Sequence, residues 1–135
     1  KCSIALGASS IGDSWGMYVQ NEKHVETYQQ IVNSGKLPII KGHTLSDSET
    51  NMRMHILNLM CRDKTSWNHI SKDAIAITPF LPNLDEMVED GIVEYKSNQI
   101  SVTQKGKYFI RNICAAIDPI FQNTIVDSPV FSKAI

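Results

Sequence analysis

The sequence predicts a mainly α fold with a small β-hairpin, a winged-helix-like helical domain preceded by a strand and a loop. Three features of residues 84–117 predict it. Leu84, Met87 and Val88 recur at helical spacing, and Gly91 then stops the helix, because a residue without a Cβ enters the left-handed region freely. Residues 92–95 and 100–103 read as two short strands about a polar turn at Ser97-Asn98, a hairpin. A third segment restarts at Thr103 and places Phe109, Ile113, Ala116 and Ile117 on one helical face.

From the start of the chain, residues 2–6 form a short apolar run that delivers the backbone into Gly7-Ala8-Ser9-Ser10-Ile11-Gly12. A strand entering a small-residue loop can bring backbone close to a ligand, although composition alone favours a tight connection. The chain opens inside this strand with no initiator Met, which predicts a piece of a larger protein. Residues 18–21 form a second extended piece. Val25, Tyr28, Ile31 and Val32 mark a helix that Gly35 stops, with Pro38 just beyond. Residues 36–42, punctuated by Gly and Pro, read as a linker, so residues 1–42 form a front portion and 43–135 the helical module.

Ser46-Asp47-Ser48-Glu49 has the form of a capping box, and Met52, Ile56, Leu59 and Met60 follow it as an apolar stripe, more in keeping with core than with a cofactor surface. Residues 66–72 read as a short helix holding Trp67 and Ile70, and Pro79 and Pro82 suit the first turn of the next helix. Asp118-Pro119 weakens the last helix. Beyond it, Ile120, Phe121, Ile125, Val126, Val130 and Phe131 make the tail too apolar to stay free of partners.

At 135 residues the chain can bury one real core. Its charged fraction of 20% is ordinary for a globular protein, and no apolar run is long enough to span a membrane. No signal peptide is seen, so a cytoplasmic monomer is expected. A net charge of −1 gives no general attraction to nucleic acid. Cys2, Cys61 and Cys114 are odd in number and far apart, which argues against a disulfide framework or a zinc site; Cys61 and Cys114 read as buried thiols.

Catalytic constellations are scarce. His24, His43, His55 and His69 lack metal-ligand spacing and read as solvent-facing or structurally hydrogen-bonded. There is no P-loop and no nucleophile elbow. Asp85, Glu86, Glu89 and Asp90 read as a solvated acidic face on the helix before the wing. That face would be repelled by phosphate, so the commonest winged-helix function, DNA binding, loses its support. Lys105, Lys107 and Arg111 give the last helix a basic side able to pair with carboxylates, although the residues alone favour solubility and local pairing.

Several ordered strings together resemble one family. These are Gly7-Ala8-Ser9-Ser10-Ile11, Tyr18-Val19-Gln20-Asn21, Gly35-Lys36-Leu37-Pro38 with Lys41-Gly42, Leu59-Met60-Cys61, Glu89-Asp90-Gly91-Ile92-Val93, Val102-Thr103 with Lys105-Gly106, and Arg111-Asn112-Ile113-Cys114. They are similar to the C-terminal part of oxygen-independent coproporphyrinogen III oxidase, and Phe131-Ser132-Lys133-Ala134-Ile135 resembles that family's chain end.

The resemblance implies a radical S-adenosylmethionine enzyme of haem biosynthesis. In that family a 4Fe-4S cluster held by three cysteines cleaves S-adenosylmethionine, and two propionates of coproporphyrinogen III become the vinyl groups of protoporphyrinogen IX. The cluster cysteines would lie upstream, so the chain would be the remnant of the catalytic barrel's last edge plus a lid domain, inactive by itself and needing the upstream barrel of the same chain as its partner. By this resemblance Ile11 falls on the family position after the Gly-x-Ser element that contacts S-adenosylmethionine, which makes it the candidate cofactor-binding residue. Gly12-Asp13-Ser14-Trp15-Gly16 departs from the family's usual pattern and leaves the loop's shape open. Arg111, Lys107 and Lys41 are the candidate partners of substrate carboxylates; no residue is assigned a catalytic or metal-binding role. Two other readings stand beside this one: a regulatory or interaction winged-helix module, and a haem-handling homologue without oxidase activity.

Overall fold

The computed structural model describes residues 2–14, 16–68 and 71–123. The chain divides into two compact units, Lys1–Thr50 and Asn51–Ile135.

The first unit is a four-stranded antiparallel sheet with one helix. β1 (Cys2–Ser3), β2 (Ile11–Ser14), β3 (Met17–Asn21) and β4 (Ile39–Thr44) lie side by side in that order, and α1 (Val25–Asn33) connects β3 to β4. The small-residue run turns at 7–10 and is already extended at Ile11. Asn21 locks this turn: its amide nitrogen donates to the carbonyls of Ala5 (3.3 Å) and Gly7 (3.0 Å), while its backbone N–H donates to Ser10 O (3.0 Å). Residues 36–42 are no simple linker, since from Ile39 they pair with β3. Pro38 and Gly42 are local turn signals, but the unsatisfied backbone groups along β3 recruit this segment as the next strand.

The second unit holds the hydrophobic core. α2 (Asp47–Arg62) enters it from the capping box, in which the Ser46 backbone N–H donates to the Glu49 carboxylate at 2.7 Å and the Glu49 N–H donates to Ser46 Oγ at 3.2 Å. β5 (Lys64–Ser66), α3 (Lys72–Ile77), a 3-10 helix (Thr78–Leu84), α4 (Asp85–Glu89), β6 (Val93–Lys96) and β7 (Gln99–Val102) follow. A second 3-10 helix (Gly106–Phe109) leads into α5 (Ile110–Ile117) and α6 (Pro119–Gln122). Met52, Leu59, Ile77, Leu84, Val93, Ile100, Ile113 and Ile117 are almost fully buried together.

The predicted hairpin is present as β6 and β7, with Ser97 at φ 52° in its turn and Gly91 at φ 68° closing α4. It belongs to a three-stranded sheet of order β5-β7-β6. Gly106 is required where the chain leaves this sheet, because a Cβ there would collide with the Ile92 carbonyl. Asn83 Nδ2 donates to Ala116 O at 2.8 Å and ties the 3-10 helix to α5.

The expected mainly α composition is therefore corrected to a mixed α/β chain with two antiparallel sheets among the described residues. The described part of the helix expected over 66–72 is not helical before Lys72: Ser66 ends β5, residues 67–68 have no regular structure, and helix α3 starts at Lys72, after Ser71, whose Oγ accepts from Ala74 N. β5 is only three residues long and turns one side chain, Thr65, inward, too little to leave a periodic signal. On α2, Met60 and Cys61 are exposed: one and two positions past buried Leu59, each is turned at least 100° away from the core. Phe109 is 41% exposed and belongs to the 3-10 turn rather than to α5. Trp15, His69, Ile70 and the tail residues Ile125, Val126, Val130 and Phe131–Ile135 lie outside the described residues. No helix among the described residues is long and apolar enough to cross a membrane.

Candidate functional site

In an antiparallel sheet, directly opposed residues send their side chains to the same face. Ile11 opposes Gln20, and Gln20 opposes Lys41; two residues along, and so on the same face, Tyr18 opposes His43. Ile11, Gln20 and Lys41 thus form one row across three strands, with Tyr18 and His43 beside it. These residues line a concavity of about 290 Å³. Ile11 is 63% exposed at its edge. Two strand spacings, roughly 10 Å, separate Ile11 from Lys41.

The electrostatics of this face are set from β4 and the following cap. His43 Nε2 lies 2.9 Å from Glu49 Oε1, and Glu49 also receives the Ser46 backbone N–H and hydroxyl. The Ser46 backbone hydrogen bond is the main cause that lowers the Glu49 carboxyl below its usual pKa. Glu49 is thereby held anionic beside His43, while no ion pair to Lys41 is found among the described residues. The site offers an apolar edge at Ile11, an amide at Gln20 and a cation at Lys41. Gln20 and His43 were not singled out as site residues in the sequence; strand alternation over 17–21 and 39–44 carries the signal, but reading it requires the register.

The other two candidate cations lie in the second unit, in different settings. Lys107 Nζ is paired with Asp63 Oδ2 at 2.7 Å, which gives it a structural partner. Arg111 lines a separate concavity of about 510 Å³ with Met87, Asn112, Ala115 and Phe121. Asp85, Glu86, Glu89 and Asp90 are all exposed on and just after α4, as expected of a solvated acidic face.

His55 is buried between Thr65 and the start of α3. Its Nε2 lies 3.2 Å from the Asp73 carbonyl, which can only accept, so Nε2 carries the proton and Nδ1 accepts from the Thr65 hydroxyl at 2.8 Å. Burial pushes its pKa below the usual value. This is a neutral structural histidine, edge-on to Trp67 at 5.8 Å. His24 precedes α1, and its backbone N–H donates to Glu22.

Cys2 lies on β1, Cys61 on α2 and Cys114 on α5, where burial pushes the Cys114 thiol up to about 11. No group of three or more potential ligands converges among the described residues. The described residues, with the three cysteines on separate elements, therefore do not fit an iron–sulfur cluster.

No family model matches this chain. It is 30% identical over 141 aligned positions to an oxygen-independent coproporphyrinogen III oxidase of Synechocystis, a match spanning 98% of this chain and 30% of that relative. The corresponding protein of Salmonella typhimurium is 29% identical over 120 positions, 85% of this chain and 26% of the relative. Among solved structures, coproporphyrinogen III oxidase (HemN) from Escherichia coli, described as a radical SAM enzyme, superposes with a TM-score of 0.76 at 28% identity, covering 89% of this chain and 29% of the other. The chain is homologous to a portion of these oxidases and spans less than a third of their length.

Proposed function

We propose that this chain is the C-terminal portion of a cytoplasmic radical S-adenosylmethionine enzyme that converts two propionates of coproporphyrinogen III to vinyl groups, giving protoporphyrinogen IX. The observation that carries this reading is the row Ile11–Gln20–Lys41, in which the position resembling an S-adenosylmethionine contact shares one concave sheet face with Lys41, a cation that has no ion pair among the described residues. A concavity of about 290 Å³ suits one end of such a ligand rather than all of it. When bound, S-adenosylmethionine supplies the oxidising radical chemistry; the residues here would hold its apolar edge at Ile11 and position a substrate carboxylate at Lys41. The cluster itself would be held by an upstream barrel.

The second unit is read as a winged-helix-like lid. Its order of helix α2, strand β5, helices α3 and α4, then the β6–β7 hairpin supports that reading, and its continuous buried core suits a body that shields a reactive site from water. The acidic α4 speaks against a nucleic-acid role. Arg111, exposed beside its own concavity, is a further candidate for a substrate carboxylate; Lys107 is a weaker one because Asp63 already holds it.

The test is a chimera in which this chain replaces the matching portion of the Synechocystis oxidase. Conversion of coproporphyrinogen III, with loss of S-adenosylmethionine affinity on Ile11→Asp, is the expected result. A folded chimera that binds S-adenosylmethionine equally well with and without Ile11→Asp would overturn the assignment of that face.

A further inference from the structure

Beside the row Ile11–Gln20–Lys41, the same face of the first unit's sheet carries a second row, Asp13–Tyr18–His43, because Asp13 opposes Tyr18 and Tyr18 opposes His43. That row ends in a side chain which the fold holds in place. His43 Nε2 lies 2.9 Å from Glu49 Oε1, while Glu49 Oε2 accepts from the Ser46 backbone N–H at 2.7 Å and from the Ser46 hydroxyl at 2.8 Å. Both carboxylate oxygens are engaged, so Glu49 cannot leave the ring without also giving up its place in the cap of α2. A carboxylate only accepts, so Nε2 of His43 carries a proton and Nδ1 is the nitrogen left for another partner. The Glu49 side chain is 23% exposed and that of His43 52%, which makes the ring the part a ligand reaches. His43 and Lys41 both line the concavity of about 290 Å³.

We infer that His43 is a second binding residue of this face, and that with Lys41 it holds two separate carboxylates of one ligand. Lys41 and His43 are two residues apart on β4, so they emerge on one side of the strand roughly 7 Å apart. Glu49 fixes the ring where it stands, so one carboxylate at Lys41 leaves Nδ1 unused and a second one engages it. The substrate of the proposed reaction presents at least two propionates, which suits such a pair. Because a carboxylate accepts, Nδ1 donates to it only as N–H, and the ring in the complex is an imidazolium between two anions, Glu49 and the ligand. Binding is thereby linked to a proton on His43. The charged and titratable groups that face the ring are Glu49 from the start of α2, Lys41 on its own strand, and Tyr18 on β3 with Asp13 behind it on β2. The inference takes the identity of the ligand from the reading of the chain as part of such an oxidase, and adds the residue that holds a second carboxylate.

Two binding measurements test it: coproporphyrinogen III with the Synechocystis chimera, and tricarballylate, a small tricarboxylate, with the chain alone, followed by the nitrogen NMR signals of the His43 ring. In the chimera His43→Gln should weaken coproporphyrinogen III binding about tenfold while S-adenosylmethionine affinity and thermal unfolding stay unchanged. The affinity of the unsubstituted chimera should fall about tenfold from pH 6 to pH 8, that of His43→Gln should not, and His43→Lys, which keeps a cation, should restore binding without the pH dependence. In the chain alone tricarballylate should move the Nδ1 signal, and acetate at the same concentration should not. A chimera that binds coproporphyrinogen III equally well with and without His43→Gln at both pH values overturns the inference and leaves the functional reading standing, with the His43–Glu49 pair then part of the cap alone. A folded chimera that binds no coproporphyrinogen III overturns the functional reading; a tricarballylate shift at Nδ1 then still supports the two-carboxylate site, and its absence overturns that site as well. An equal shift with acetate overturns the pairing of two carboxylates.

Discussion

The hydroxyl of Thr65 and Nδ1 of His55 meet at 2.8 Å inside the second unit, joining β5 to the middle of α2. The same ring reaches the Asp73 carbonyl with its other nitrogen, so one neutral imidazole holds a helix, a strand and the start of α3 together. Removing the hydroxyl leaves Nδ1 buried without its donor. Thr65→Val should lower the unfolding free energy by about 1–3 kcal/mol, read by urea denaturation at pH 7.5.

His55 also gives the fold a pH dependence with a definite sign. Burial lowers its folded pKa below the ordinary 6.5, so below that pH the unfolded chain binds the extra proton first. The contribution is fully present above pH 6.5 and is lost as pH falls from there towards the folded pKa. Stability should decline at up to about 1.4 kcal/mol per pH unit in that window. His55→Gln should flatten the slope; urea titrations from pH 7.5 to 5 would show a persisting slope if another group were responsible.

Gly106 and Gly91 should respond differently to alanine. A Cβ at Gly106 meets the Ile92 carbonyl backbone and Val102, and Thr103 Oγ1 already accepts from the Gly106 N–H while its single proton is shared between Gly91 O and Ile92 O. Gly106→Ala should therefore cost about 3 kcal/mol, since backbone must move. Gly91→Ala meets nothing within 4 Å and bears only the strain of φ 68°, about 1–2 kcal/mol. Comparable losses in thermal unfolding for the two variants would contradict this account.

The capping box makes a local prediction. Ser46→Ala removes the acceptor for the Glu49 N–H and should cost about 1 kcal/mol, with faster amide exchange confined to the first turn of α2. The lowered Glu49 carboxyl adds stability that is present above the ordinary pH 4.5 and lost as pH falls below it.

Among the three candidate cations, Lys41 and Lys107 should separate by readout. In the chimera, Lys41→Ala should weaken coproporphyrinogen binding about tenfold, the equivalent of ~1.4 kcal/mol, without changing thermal stability. Lys107→Ala should instead act through the lost Asp63 pair, with at most ~1 kcal/mol of stability and no change in affinity. If replacing Lys41, Lys107 and Arg111 together left affinity unchanged, carboxylate pairing by this chain would be ruled out.

The sequence by itself determined the local grammar: the Ser46–Glu49 cap, the Gly91 stop, the β6–β7 hairpin and the inward face at Ile113 and Ile117. Each is written in residues within a few positions of one another, where capping, left-handed backbone and side-chain period act. It also carried the ordered blocks that resemble the oxidases. Tertiary structure alone decided that residues 39–44 and 64–66 are strands, because their pairing partners, β3 and β7, lie some twenty to thirty-five residues away and leave no periodic mark in three to six residues. It alone decided that Ile11 and Lys41 face one cavity, since that follows from register across β3, and that His55 is a buried brace, since Thr65 and the Asp73 carbonyl become its partners only when the chain closes around it.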